Sequence, residues 1–263
     1  MRQVRVNRER PSVAAWAVAL TVTMLAVYVL TLSASAPDAV ESVSAAPRVT
    51  RQIELAALKA HCVTLGGWKD ENAARLEAAG FAARGAAGFL YAMDGEWHVL
   101  GALYDSDRDA ARAVDRLKAE GVTGASVIPL SADAVRLRVT APDQQIDAIA
   151  ALDACIRDEI AQLRHIAAQL DRNEIKPDAA RTLCAVAATK LGDVSRALAA
   201  IPGASENRLC GALIDAATEL QSQLSTISGD KGSAGPAMTG MVRLAGLDAF
   251  LNLWAIQNGL TSG

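Results

Sequence analysis

"HCVTLGGW" (61–68), "KDENAARLEAAGFAARG" (69–85), "FLYAMDGEWHVLGALY" (89–104), "DSDRDAARAVDRLKAEG" (105–121) and "ASVIPL" (125–130) decide the fold. In the first piece Cys62, Val63 and Leu65 make a short apolar strand, which Gly66-Gly67 breaks. Asp70 or a neighbour then caps a helix. Its residues Ala73, Leu76, Gly80 and Ala83 recur at 3 and 4 and share one face, with Phe81 to one side. Gly80 and Gly85 are both candidate stops; Gly85 is preferred, since one interior Gly costs a helix only ~1 kcal/mol. Residues 89–92 and 97–102 read as strands joined through Asp94-Gly95, which suits a type I′ turn because both central positions need positive φ. Ser106 and Asp109 form a capping pattern for a second helix, with Ala110, Ala113, Val114 and Leu117 buried and Gly121 at its end. Residues 125–130 are a final apolar strand.

The order strand, helix, strand, strand, helix, strand predicts the split βαβ of a ferredoxin-like fold. Two helices cover one face of a four-stranded antiparallel sheet, and the other face is expected to stay open for binding.

Upstream, residues 13–32 are a run of 20 without a charge. At ~1.5 Å per residue the run spans about 30 Å, the thickness of a bilayer core. Trp16 and Tyr28 lie near its ends, and Arg2, Arg5, Arg8 and Arg10 precede it. The positive-inside rule puts the N-terminus in the cytoplasm and the rest outside, as a single-pass protein of the cell membrane. Ala34-Ser35-Ala36 also resembles a signal-peptide cleavage site, but the apolar run exceeds a usual signal core and Pro37 follows at once. The Ser-, Ala- and Pro-rich segment after it reads as a linker. Net charge is −3, so nothing in the composition suggests a nucleic-acid partner.

The central stretch resembles the sporulation-related repeat (SPOR) family of peptidoglycan-binding domains. That family has two quasi-repeated halves, each a strand running into Gly and an aromatic, then an Ala-rich helix, then a strand. "VTLGGWKDENAA" (63–74) is similar to the first half and "WHVLGALYDSDRDAARAVDRLKAEG" (97–121) to the second, with Gly66 before Trp68 and Gly101 before Tyr104. The sequence departs from the family at Thr64, where Gln is frequent, and at "GALY" (101–104), where Gly-Pro-aromatic is usual. The resemblance implies recognition of peptidoglycan glycan strands, particularly those stripped of stem peptides, in cell division or sporulation. Sugars stack on aromatic faces and bond through their hydroxyls. Trp68, Tyr91, Trp97 and Tyr104 would supply the faces, with Thr64 and His98 as polar partners. The competing reading makes these aromatics core or hairpin pairs, and His61 and His98 satisfied structural histidines.

Downstream, "AVRLRVT" (134–140) is a short strand or a connector. Pro142-Asp143 opens a long amphipathic helix whose apolar positions run from Ile146 to Leu170, with one double step across Asp153. Pro177 opens a second, with Leu183, Val186, Ala187, Leu191, Val194, Leu198 and Ile201 inside. Ser205 caps a third, with Leu209, Leu213, Ala216, Leu220, Leu224 and Ile227 inside and a stop at Gly229. Residues 143–228 thus read as a three-helix bundle or long hairpin, either a scaffold for a protein partner or a spacer. The tail, with Met238, Leu247, Phe250 and Trp254, reads as an amphipathic helix docking on the bundle, a partner or a membrane surface.

The expected fold class is therefore α+β. Its parts are a cytoplasmic basic arm (1–12), a transmembrane helix (13–32), a linker (33–56), the SPOR-like domain (57–131), an antiparallel helical bundle (132–228), and a linker with tail helix (229–263). Cys62, Cys155, Cys184 and Cys210 lack short metal spacing. Either one inter-helix bridge forms, Cys155 or Cys210 with Cys184, or all act as small apolar residues. Asp105, Asp107 and Asp109 read as helix-start charges. No metal site, cofactor or catalytic motif is evident. The expectation is a non-catalytic, membrane-anchored peptidoglycan-binding protein. The alternative is a structural or regulatory interaction module of the envelope that has lost glycan binding.

Overall fold

The computed structural model describes residues 47–204, 206–233 and 235–261. The arm 1–12, the apolar run 13–32, the possible cleavage site 34–36 and the proposed cap Ser205 lie outside the described residues. The described residues fall in one compact unit, Pro47–Gly263, which is α+β and has its own core.

Strand β1 (Arg48–Leu55) opens it, followed by β2 (Leu58–Trp68), helix α1 (Glu71–Ala83), β3 (Phe89–Met93), β4 (Glu96–Tyr104), α2 (Asp107–Ala119), β5 (Ser126–Ala132) and β6 (Val135–Pro142). Four long helices complete it: α3 (Asp143–Asp171), α4 (Pro177–Ala199), α5 (Arg208–Gly229) and α6 (Gly235–Thr261). β3-β4-β2-β5 make one antiparallel sheet. β1 pairs with β6 in a second, from Arg48 opposite Pro142 to Leu55 opposite Val135. Residues 48–55, assigned to a linker by composition, are therefore a strand, and "AVRLRVT" is its partner rather than a connector.

Local signals act as their chemistry requires. Ala73 N–H donates to Asp70 Oδ1 at 2.7 Å, and Asp109 N–H to Ser106 Oγ at 3.2 Å. Asp94 (φ 53°) and Gly95 (φ 79°) make the two left-handed residues of the hairpin turn. α1 runs through Gly80 to Ala83 and leaves through Gly85 at φ 102°. β2 continues through Gly66-Gly67 instead of breaking there, because the unpaired Leu65-Gly66 form a bulge and Gly67 rejoins the ladder. Val63 faces Ala102 and Thr64 faces Leu100, skipping Gly101; Gly67 then faces His98, restoring the register.

Three side-chain assignments are corrected. α1 buries Ala74, Ala78 and Phe81, while Leu76 is 75% exposed. The small stripe lets the helix sit close on the sheet, and the expected stripe of Ala73, Leu76 and Gly80 points to solvent. Val186 of α4 is also exposed. The third long helix begins at Arg208, with Asn207 Oδ1 accepting from the N–H groups of Leu209 and Cys210.

The bundle has four helices, because α6 packs on α5 and closes back onto α3. The connections between them are short, so neighbours in sequence run antiparallel. α1 and α2 cover one face of the four-stranded sheet around Val63, Leu65 and Val99. The other face is not open. Leu58, Ala60, Leu100 and Leu130 share one core with Ile149 and Ile156 of α3 and Val242 and Phe250 of α6. The tail helix that the sequence leaves peripheral is thus buried between sheet and bundle. Trp254 Nε1 donates to Ser131 O at 2.9 Å. Gln257 Nε2 donates to Ala56 O (3.0 Å) and Asp133 O (2.5 Å), and its Oε1 accepts from Arg157, which also binds Asp153 at 2.7 Å. These bonds tie the tail helix to β5 and to the β1–β2 and β5–β6 turns. No helix among the described residues is long and apolar enough to cross a membrane.

Candidate functional site at the end of the sheet

The register collects four of the six proposed glycan contacts at one end of the sheet. Trp68 of β2 faces Trp97 of β4, and Tyr91 of β3 faces His98. Alternation sends the pairs to opposite faces. Trp68 and Trp97 are half-buried against the α1/α2 core. The Trp68 ring folds back over Gly66, where an added Cβ would lie 2.8 Å from the ring.

On the other face Leu100 is buried in the core shared with α6. The next residues outward, Tyr91, His98 and Glu96, are half-exposed, and Gly67 is exposed. Glu96 and His98 both lean over Gly67: a Cβ there would meet Glu96 Oε2 at 2.9 Å and the His98 ring at 3.1 Å. Glycine therefore keeps a shelf between a carboxylate and an imidazole. His98 Nδ1 is buried without a hydrogen-bond partner, so this histidine is not the satisfied structural residue expected. His61 Nδ1 likewise lacks a hydrogen bond and lies 3.7 Å from Asp107.

Thr64 and Tyr104 do not join this cluster. Thr64 is 2% exposed. Its hydroxyl lies 3.2 Å from Gly66 O and 3.3 Å from Val99 O, and accepts from Gly66 N–H, so it stitches the bulge. Tyr104 sits at the far end of β4 opposite His61. There it borders a groove of about 1010 Å³ between α2, α3 and α6. Arg164 reaches across it to pair with Asp105, and Arg243 pairs with Asp171 while donating to Gly85 O at 2.6 Å. Burial pushes the Tyr104 phenol up, against the pull of Arg243 and Arg116. These arginines come from three helices scattered in sequence, so no local motif announces the groove.

The three aspartates at the start of α2 have ordinary employment. Asp105 pairs with Arg164, Asp107 faces His61, and Asp109 donates its N–H to the capping Ser106 Oγ while its carboxylate accepts from that hydroxyl at 2.8 Å. No group of three or more potential metal ligands occurs among the described residues. All four cysteines are free and buried, so the inter-helix bridge is absent. Cys210 Sγ accepts from Gln145 at 3.4 Å. Burial pushes the thiols of Cys62 and Cys184 up to about 12 and about 11, which makes them poor nucleophiles.

Compared with protein-family models, with curated proteins and with solved structures, the chain matches none of them.

Proposed function

We propose that the chain is a non-catalytic binding protein of the cell envelope, anchored through residues 13–32, which holds peptidoglycan glycan strands at the uncovered end of its four-stranded sheet. The order β3-β4-β2-β5, with helices after its first and third strands in sequence, supports a ferredoxin-like, SPOR-like reading. The observation carrying the site is the half-exposed set Trp68, Tyr91, Trp97 and His98, brought to one edge by strand register. Tyr91 and His98 offer rings, and Glu96 offers a carboxylate beside Gly67, the mixture a sugar face and its hydroxyls need. Thr64 leaves the ligand set, since its hydroxyl is buried and engaged. Tyr104 leaves it as well, lying at the other end of β4.

Co-sedimentation of residues 47–263 with intact and peptide-stripped glycan tests this. The unaltered unit is expected to pellet, and Tyr91→Ala to weaken binding at least about tenfold, the loss typical of an aromatic contact in an interface. A folded unit that pellets with neither glycan overturns the reading.

One observation favours a second reading. Most of the sheet face expected to bind is occupied by α6. Such a chain would serve as an interaction module of the envelope with the bundle as its contact surface. Failure to bind glycan together with capture of an envelope protein by the bundle would select it.

A further inference from the structure

A second recess lies on the opposite face of the sheet from the Tyr91–His98 shelf and is independent of the glycan reading. α1 lies over β2, β3 and β4, and α2 over β2, β4 and β5. Between the two helices remains a slot of about 310 Å³. It is apolar inside, bounded by Val63, Leu65, Phe81, Leu117 and Val122. Its mouth holds Arg84, Arg116, Arg243, Glu120 and Asp171. Tyr104, Arg116 and Arg243 line both the slot and the large groove, so the two are continuous.

The mouth is arranged to receive an anion. Arg243 is held in place by Gly85 O and Asp171, which neutralises it. Arg84 stacks on the Phe81 ring, 4.6 Å from its centroid, and leaves its charge at the rim. Arg116 has no ion-pair partner among the described residues. The Tyr104 phenol is half-buried beside Arg116 and Arg243. Water inside an apolar slot finds few partners, whereas a hydrocarbon chain fills it at no such cost. The slot's volume is at the small end of the roughly 300–1,000 Å³ usual for ligand pockets.

We propose that this slot binds an amphipathic anion, its alkyl or acyl chain between α1 and α2 and its carboxylate or phosphate at Arg116 beside Tyr104. The source is either a fatty-acyl carboxylate or an alkyl phosphate, and the arms of the test separate them.

The test is calorimetric titration of residues 47–263 with decanoate, decyl phosphate, decanol and inorganic phosphate. One molecule of decanoate or decyl phosphate is expected to bind per chain, and the stronger of the two identifies the head group. Decanol is expected to bind roughly tenfold more weakly, and inorganic phosphate not at all, because a charge-assisted hydrogen bond and an apolar chain are both required. Arg116→Gln is expected to weaken the anion about tenfold and leave decanol unchanged, as loss of one charged contact would. Leu117→Trp fills the slot and is expected to abolish binding of all three chains. Circular dichroism checks its fold, and Val122→Phe serves the same purpose if that variant does not fold. Absence of saturable heat up to about 1 mM, a weak limit for specific binding, overturns the proposal. So does undiminished anion binding by Arg116→Gln or by a folded slot-filling variant. Neither result touches glycan binding, which Tyr91→Ala reads at a different face.

Discussion

Replacing Gly240 by alanine tests whether α6 is locked against the first helix of the sheet layer. Gly240 lies in α6 where it crosses the end of α1. A Cβ there would sit 2.7 Å from Ala82 O and 2.8 Å from Ala86 O, well inside van der Waals contact. Both are backbone atoms, so no rotamer change relieves the clash. The turn they flank is also tethered, since Arg243 donates to Gly85 O at 2.6 Å. Helix propensity alone would make the change favourable by ~1 kcal/mol. Overpacking costs about 1–3 kcal/mol, and two backbone oxygens inside 3.0 Å place this site in the upper part of that range, at about 2–3 kcal/mol. The clash wins, for a net loss of about 1–2 kcal/mol. At ~2–4 °C per kcal/mol for a unit of this size, Tm falls by about 2–8 °C. Gly80→Ala is the internal control: it is helical, exposed, and has nothing within 4 Å of its Cβ. It should gain up to ~1 kcal/mol and raise Tm. Thermal melts of residues 47–263 followed by far-ultraviolet circular dichroism read both. A Gly240→Ala unit as stable as Gly80→Ala would refute the close crossing.

Other outcomes follow from the buried polar groups. Glu159 is fully buried in α3 and bonded to Lys190 Nζ at 2.9 Å. Lys190 is half-exposed, so Lys190→Met leaves only the buried carboxylate without its charged partner; the cost should be about 1–3 kcal/mol, that of an unpaired buried polar group, read as a lower urea midpoint. Cys62 and Cys184 ionise near 9.0 when unfolded and at about 12 and about 11 when folded. Because the folded values are raised, the stability they contribute is complete below pH 9 and declines as pH rises towards 11 to 12. The slope is up to roughly 1.4 kcal/mol per pH unit per thiol. Urea melts at rising pH should show this decline flattened in Cys62→Ala; an identical decline in that variant would remove the thiol as its cause.

Sequence legibility followed the range of the interactions. Turn and cap residues act within a few positions, so Asp94-Gly95, Ser106 and Gly85 disclosed their roles directly. The α3 stripe from Ile146 to Leu170 was equally plain, since Ile and Leu on one face leave little choice of orientation. α1 was not, because alanine occupies most of its sides. With so weak a contrast, packing chose Ala74, Ala78 and Phe81 over Leu76. For the candidate site, the sequence supplied the aromatics but not their grouping. The bulge at Gly101 and Leu65-Gly66 sets which residues face each other, and it spent Thr64's hydroxyl on the strand itself.

The chain's own residues determined an α+β unit, the order of the elements from β2 to β5, the starts of α1 to α4, and an uncharged run at 13–32. Only the tertiary structure decided that 48–55 pairs with β6, that a fourth helix closes the bundle, and that this helix lies on the second face of the sheet. Those contacts join segments far apart in the chain, and they form because apolar surface on α6 must be buried somewhere. Its pattern records that need and leaves the partner to the fold.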